Sequence, residues 1–445
     1  MKVVFLGFLI ICSNLIVQAQ PNLDLLDSLL THYESNDRYM GGIAVAQDGE
    51  VIYSRELGFE SVQNETRASD RTVYRIGSIT KTYTATMVFR LIEEGMLRLE
   101  DPLSKFYPDI ANANQITIGH MLRHQSGIHN FTNDADYITY MSSKKSQADL
   151  LTIFNKLPSD FEPGSDLEYS NTAFVLLGWI TEQASGMSYS DFLEQEILSK
   201  LKLQHTYYQK LEDGSNDVAA GSYNKPGDRW INSTVTHLSI PAGAGAIIST
   251  ASDVALFLDG LMTGQIISEA SLQEMMKVEY GMGCGLFPFP FGTRQFFGHN
   301  GGIDGFSSTS GYYDKDEISF AILGNGVQTT TNDIAIGVLS CVFDTDFEFP
   351  SFVVVEVPTS VLERYVGTYS ATGFPLDIAI TSDGTQLYGQ ATGQGRFPLS
   401  ATSESTFTFS ASGIQIEFTV NEVGDYDMNF SQGGMDVVFE KEGGE

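Results

Sequence analysis

The chain has 445 residues and only three cysteines, one of which, Cys12, falls in the first twenty residues. The other two, Cys284 and Cys341, are too few for a disulfide framework at this length. Two buried thiols are the expected reading, although an oxidising compartment would allow them to pair. Basic residues are scarce as well: Lys and Arg total 25 against 56 Asp and Glu, a formal charge of −31. Nucleic acid and anionic membrane surfaces recruit basic patches, so neither is an expected partner. Beyond the first twenty residues no apolar run reaches transmembrane length, which argues against stable membrane insertion. No Gly-x-Ser-x-Gly elbow is present, so an α/β-hydrolase nucleophile is not expected, and there is no phosphate-binding loop. His120 and His124 stand at an i, i+4 spacing that can bind metal. The glutamate of the metalloprotease helix does not follow His120, so neither a metal nor a cofactor is expected.

What is present is a globular composition, 42% apolar and 18% charged, in a chain longer than one ordinary domain. Lys2, the apolar stretch from Val3 to Val17 and the small residues of Val17-Gln18-Ala19 read as a secretory signal peptide over residues 1–20. That implies a periplasmic or extracellular protein. Composition shifts between Pro350 and Pro358, dividing a large segment, 21–350, from a small one, 358–445. Gly41 to Ala46 and Val51 to Tyr53, joined through Asp48-Gly49, read as a β-hairpin. Tyr83, Met87 and Leu91, with Val88 and Ile92, recur at helical spacing and are expected to form a long amphipathic helix behind Ser78. Residues 98 to 260 read mostly as helices and loops, with helices at Ile118 to Leu122, Ala173 to Glu182 and Ala251 to Leu261. Strands are expected at Gln295 to Phe297 and Ile318 to Leu323, and a helix from Asp333 to Phe343. After Tyr369 short alternating runs separated by glycines suggest a closed or sandwiched β unit.

A serine hydroxyl is a weak nucleophile until something removes its proton. In Arg75-Ile76-Gly77-Ser78-Ile79-Thr80-Lys81 the serine sits at a helix mouth, whose free N–H groups suit an oxyanion. Lys81 is three residues on, on the same helix face. Ser-x-x-Lys occurs four times, at Ser78, Ser142, Ser199 and Ser222. The Ser142 stretch is polar and expected at the surface, Ser199 sits at a helix end and Ser222 runs into a Pro-Gly turn. Only Ser78 opens a long helix behind a glycine. A second element, Tyr169-Ser170-Asn171 after a Pro-Gly turn, offers a phenol for proton shuttling and an amide to hold the lysine and the substrate. A third, Phe297 to Phe306, reads as a strand that ends in a glycine-rich stretch. There His299 would orient substrate, Gly301 would let backbone approach, and the Gly302 N–H would complete an oxyanion hole with Ser78. Lys225-Pro226-Gly227 competes for this third place, but proline lacks the N–H that a substrate-pairing strand needs.

These three elements, in this order, resemble the serine β-lactamase-like family, which includes class C β-lactamases, D-alanyl-D-alanine carboxypeptidases, D-aminopeptidases and esterases. The segments Ile116 to Ile128 and Pro241 to Asp253 are similar to further blocks of that family, so the resemblance covers about residues 25 to 345. It implies an α/β part, an antiparallel sheet flanked by helices, with a mostly helical all-α part beside it. Tyr365-Val366-Gly367-Thr368-Tyr369 looks like the start of the lipocalin-like all-β barrel that some members append. By the same resemblance Ser78 is the nucleophile, Lys81 its base and Tyr169 the proton relay. The implied activity is hydrolysis of amide or ester bonds in small-molecule or peptide substrates, D-amino-acid compounds among them, through an acyl-enzyme. Alternatives are a carboxylesterase, a β-lactamase or carboxypeptidase, and a catalytically silent module that binds peptides or peptidoglycan. His299 stands where many β-lactamases and carboxypeptidases carry lysine. A histidine, mostly neutral at pH 7, attracts a substrate carboxylate poorly, so efficient β-lactam turnover is not expected. The oligomeric state is not legible from the sequence.

Overall fold

The computed structural model describes residues 21–442 except 209–210, 213–215, 218, 228, 353–354, 373, 375, 393–394, 410–413, 422–423 and 433–434. The expected signal peptide, with Cys12, lies outside the described residues.

Helix α1 (Leu23–Ser35) starts where the Asn22 side chain accepts the Leu25 N–H. Its apolar residues at 26, 29, 30 and 33 make one buried stripe. The hairpin follows as β1 (Tyr39–Gln47) and β2 (Glu50–Leu57). Asp48 and Gly49 both take positive φ, 53° and 79°, which matches the right-handed twist of the paired strands. Then come α2 (Thr80–Glu93), α3 (Ile118–Leu122), α4 (Asn171–Ser185) and α5 (Ala251–Met262). Strands β3 (Phe287–Phe291), β4 (Arg294–Ile303), β5 (Phe306–Tyr313) and β6 (Ile318–Val327) lead to α6 (Thr331–Val342). These strands and the hairpin make an antiparallel sheet in the order β2-β1-β6-β5-β4-β3. Two-residue strands at Tyr223–Asn224 and Ile231–Asn232 extend it beside β6, where mostly helix and loop were expected.

Period-two alternation sorts β1 and β6 between two cores. Ile43, Val45, Phe320 and Ile322 pack with α1 and α6, whereas the smaller Ala44, Ala46 and Ala321 face α5 and the helical part. Small residues on that side let α5 lie close to the sheet. The two leftover cysteines are free and buried, Cys284 in one core and Cys341 in the other.

The sequence pattern misread α2. Instead of the expected amphipathic helix, it is a central helix, buried from Thr80 to Phe89. Its threonines carry their hydroxyls into the core because each finds a backbone partner: Thr82 donates to the Gly285 carbonyl at 2.8 Å, Thr84 to that of Gly243 at 2.6 Å and Thr86 to that of Thr82 at 2.8 Å, while Thr80 accepts the Ile247 N–H at 3.2 Å. A satisfied hydroxyl costs little to bury, so polar letters did not mean an exposed face here.

Helix α7 (Thr359–Tyr365) precedes eight strands that close into a barrel in sequence order. They are β7 (Gly367–Ser370), β8 (Ile378–Ser382), β9 (Leu387–Ala391), β10 (Phe397–Ala401), β11 (Thr406–Phe409), β12 (Ile414–Val420), β13 (Tyr426–Gln432) and β14 (Met435–Lys441).

A buried ion pair pins the turn between β4 and β5. Asp304 accepts from the Arg75 guanidinium at 3.1 Å, the Thr236 N–H at 2.9 Å and the Thr236 hydroxyl at 2.7 Å. The two charged side chains are 5% and 1% exposed. Removing one partner strands the other charge in the interior. Asp304→Ala is therefore expected to lower unfolding stability by about 3–5 kcal/mol, measured by urea denaturation.

Candidate active site

The chain enters the site from the short strand Tyr74–Arg75, turns at Gly77 (φ 53°) and runs through a 3-10 turn, Gly77–Ile79, into α2. Ser78 thus sits just before the helix proper. A Cβ on Gly77 would lie 3.0 Å from the Gly302 nitrogen, and one on Gly301 would collide with the Ile76 carbonyl oxygen at 2.0 Å. The two glycines therefore bring β4 backbone against the serine turn. Ser308 on β5 locks this approach by donating to the Ile76 carbonyl at 2.9 Å. Strand β3 pairs with β4 only as far as Gly298. From His299 to Ile303 β4 has a partner on the β5 side alone, and its other edge is free beside Ser78. The strand expected at Gln295 to Phe297 runs on through the glycine-rich stretch as far as Ile303.

Lys81 is fully buried, and its ammonium nitrogen meets three oxygens: Ser78 Oγ at 2.9 Å, Asn171 Oδ1 at 2.8 Å and the Ala244 carbonyl at 2.8 Å. Burial pushes its pKa well below the usual lysine range. Asn171 Oδ1 and the Ala244 carbonyl accept only. A neutral amine gives them its two N–H groups and turns its lone pair to the Ser78 hydroxyl, the geometry of a general base. The rings of Tyr169 and Phe174 lie 4.9 and 5.7 Å from the nitrogen. The Asn171 amide is fixed on its other side, donating to Thr132 at 3.1 Å.

Tyr169 lines the larger cavity together with Ser78, and burial raises its pKa strongly, keeping it a phenol. Its position is held by His124, a residue that the sequence offered only as half of an i, i+4 pair. The His124 carbonyl accepts the Glu168 N–H at 3.0 Å and Nδ1 accepts the Ser170 N–H at 3.0 Å. The ring stacks on Tyr169 at 4.3 Å. His124 holds a positive φ of 57°, a strain of about 1–3 kcal/mol that the surrounding contacts maintain. Burial, with Lys81 and His299 nearby, lowers its pKa and keeps it neutral. His120 does unrelated work, closing a capping box with Thr117 at the start of α3. Among the described residues no cluster of His, Cys, Asp and Glu is arranged to hold a metal.

His299 Nδ1 donates to the Asn300 carbonyl at 2.5 Å, which leaves Nε2 as the ring's acceptor. Burial first, then Lys81, pushes its pKa down to about 3, so it is a neutral imidazole. Of the residues singled out in the sequence, Ser78, Tyr169, His299, Gly301 and Gly302 line one cavity, of about 880 Å³. Ser78, Asn171 and Gly302 line a second, of about 510 Å³, and Lys81 lies beneath both. Ser142 is exposed, as expected, and Ser222 is buried, where its hydroxyl accepts the Gly305 N–H. The Ala244 carbonyl had no chemical signature, since any residue supplies one.

Over residues 26–338 the chain matches the family profile described as Beta-lactamase. The chain belongs to the beta-lactamase family. It is a serine hydrolase of that family. Residues 353–441 match a second profile, a domain of unknown function, DUF3471. Penicillin-binding protein 4* of Bacillus subtilis (strain 168) is 25% identical over 425 residues, covering 89% of this chain and 94% of its own. Among solved structures, an octameric penicillin-binding protein homologue from Pyrococcus abyssi is 24% identical with a TM-score of 0.66, covering 94% of this chain and 99% of its own. A D-stereospecific amidohydrolase from Streptomyces sp. is 26% identical with a TM-score of 0.60, over 71% of this chain and 98% of its own.

Two outcomes follow from this geometry. His124→Leu removes the acceptor for Ser170 and is expected to lower kcat by about tenfold to a hundredfold with little change in KM, while His124→Asn, which restores an acceptor oxygen, recovers part of it. A purely structural role would move both variants alike. The second concerns Lys81, whose folded pKa lies below its unfolded one. The unfolded chain then binds more protons, and stability contributed through this group is lost as pH falls from the unfolded lysine pKa towards the folded one. Lys81→Met lacks this loss, so its melting temperature is expected to gain on that of the native chain between pH 9 and pH 6.

Proposed function

We propose that this hydrolase cleaves amide or ester bonds in small or peptide-like substrates through an acyl-enzyme on Ser78, D-amino-acid compounds among them. The observation that carries the reading is the Lys81 nitrogen, 2.9 Å from Ser78 Oγ with its other two contacts on pure acceptors. In the proposed cycle neutral Lys81 takes the Ser78 proton as the hydroxyl attacks the carbonyl. The backbone N–H groups of Ser78 and Gly302 receive the oxyanion. Tyr169 protonates the leaving atom, and water later releases the acyl group by the reverse path. Asn171 holds Lys81 and borders the substrate, His299 lines the substrate's other side, and Gly301 permits the close approach of β4. The likeness to a D-stereospecific amidohydrolase and to penicillin-binding proteins supports this substrate range.

The neutral His299 favours amides and esters over carboxylate-terminated peptides and β-lactams, because an imidazole without charge supplies no counter-ion. A carboxylesterase is the second reading, favoured by the same neutrality. We further read residues 1–20 as a signal peptide, 21–350 as the catalytic domain and 358–445 as an appended barrel of a periplasmic or extracellular protein. Intact-mass measurement after incubation with a fluorophosphonate or penicillin is expected to show one adduct, mapped to Ser78 and absent from Ser78→Ala. Inertness of the native chain to both reagents and to a panel of D- and L-aminoacyl amides and esters would leave the silent binding module instead. Nitrocefin turnover matching the best amide or ester would refute the preference against β-lactams.

A further inference from the structure

A third cavity, of about 570 Å³, shares no lining residue with the two at Ser78. Met262 at the end of α5 lines it, with Leu272 and Met276 from a further helix, Glu269–Met276. Against them stand Phe297 on β4 and Tyr312, its cross-strand partner on β5. Phe297 and His299 lie two residues apart on one face of β4, so the cavity neighbours the catalytic cleft without belonging to it. Tyr312 is 3% exposed, yet among the described residues its hydroxyl has no hydrogen-bond partner. A buried phenol ordinarily has one. The Asp314 carboxylate, two residues on, also lines the cavity and accepts no hydrogen bond among the described residues. Glu269 completes the polar part, with Gln273 donating to one of its oxygens at 3.1 Å. Burial first, then Glu317, Asp259, Asp314 and Asp48, raise the Tyr312 pKa and keep it a phenol. Among the described residues no Lys, Arg or His lines the cavity, and Lys315, next to Asp314 in sequence, does not reach its wall.

We propose that this cavity is a second binding site, separate from the catalytic one, for a small organic ammonium ion with an apolar body, arylalkyl or alkyl. The apolar body packs on Phe297 and between Met262, Leu272 and Met276. The ammonium gives its N–H groups to the Tyr312 oxygen and to the Asp314 and Glu269 carboxylates, which are acceptors without a cation of their own. Other ligand classes fit less well. An anion would be desolvated beside two carboxylates and meet no positive group. A neutral apolar molecule would cover those carboxylates without pairing them. A bare metal ion needs several ligands gathered round one point, and no such cluster exists among the described residues. The formal charge of −31 works in the same direction, since it raises the concentration of cations near the surface. The site does not rest on the acyl-enzyme reading, and neither its walls nor its carboxylates take part in that cycle.

Fluorescence titration of the full chain tests this with two probes. Dansylcadaverine is an aryl sulfonamide whose pentyl chain ends in a primary ammonium, and N-pentyldansylamide is the same molecule without the ammonium. The native chain is expected to bind dansylcadaverine about fivefold more tightly than N-pentyldansylamide, the scale of a charge-assisted contact at a partly exposed carboxylate. Glu269→Gln combined with Asp314→Asn, both at exposed positions, is expected to bring the two affinities within about twofold of each other. Met276→Trp fills the cavity and is expected to weaken both probes by about tenfold or more. Thr234→Trp and Ile336→Trp narrow the two cavities at Ser78 and are expected to leave both affinities as they are. Equal affinities of the native chain for the two probes overturn the proposal, as does an absence of saturable binding or a preference that survives the double substitution. Binding that is lost in Thr234→Trp or Ile336→Trp and kept in Met276→Trp overturns it as well, because the probe then occupies the catalytic cleft.

Discussion

The structure turns on one buried amine. Lys81 is fully enclosed and is tied to oxygens from three separate segments: the turn before α2, the first residue of α4 and the loop at Ala244. An amine in such a place costs the fold stability at neutral pH, since the unfolded chain would hold it charged and hydrated. What that cost secures is a lysine that is neutral where lysine is ordinarily protonated, and therefore able to act as a base. The rest of the helical part serves the enclosure. Helix α2 is buried from Thr80 to Phe89, the hydroxyls of Thr82 and Thr84 are satisfied by carbonyls and Phe174 closes over the amine.

The second constraint is backbone proximity. An oxyanion is held by N–H groups only if two backbone segments lie almost in contact, and side chains would hold them apart. Gly77 and Gly301 remove the two Cβ atoms that would intervene, and Ser308 ties the segments from the next strand. The buried Arg75–Asp304 pair fixes the same region from below. Rigidity on the sheet side and enclosure on the helix side meet at Ser78, so the serine lies where two independently built surfaces touch.

Much of this was legible in the letters. The hairpin, α3, α5 and the strand from Ile318 follow from periodicity and turn residues, and all seven singled-out residues, Ser78, Lys81, Tyr169, Asn171, His299, Gly301 and Gly302, do converge. Three things were not legible, each for a physical reason. The central position of α2 was hidden because threonine reads as polar yet buries well when a carbonyl waits. The Ala244 carbonyl left no trace because main-chain chemistry carries no residue identity. His124 was seen only as half of an i, i+4 pair, since a stacking and clamping role depends on where Tyr169 arrives from 45 residues away, and no local pattern encodes that.

Charge links the composition to the site. A protein with a formal charge of −31 sets up a negative potential that slows the approach of anions and leaves neutral molecules unaffected. An enzyme built for carboxylate-bearing substrates under that field would need a local cation to reverse it. Here the third motif carries a buried imidazole pushed down to about pKa 3, and the described residues around the larger cavity add no positive charge. Under the proposed function, the long-range field and the local chemistry would therefore select in the same direction, towards uncharged groups. A lysine at 299 alone would change only the local half of that selection. It would also place a second amine near Lys81, and the buried base and the added cation would each lower the other's pKa. A neutral histidine avoids that conflict, which gives the substitution a rationale within the site as well as towards the substrate.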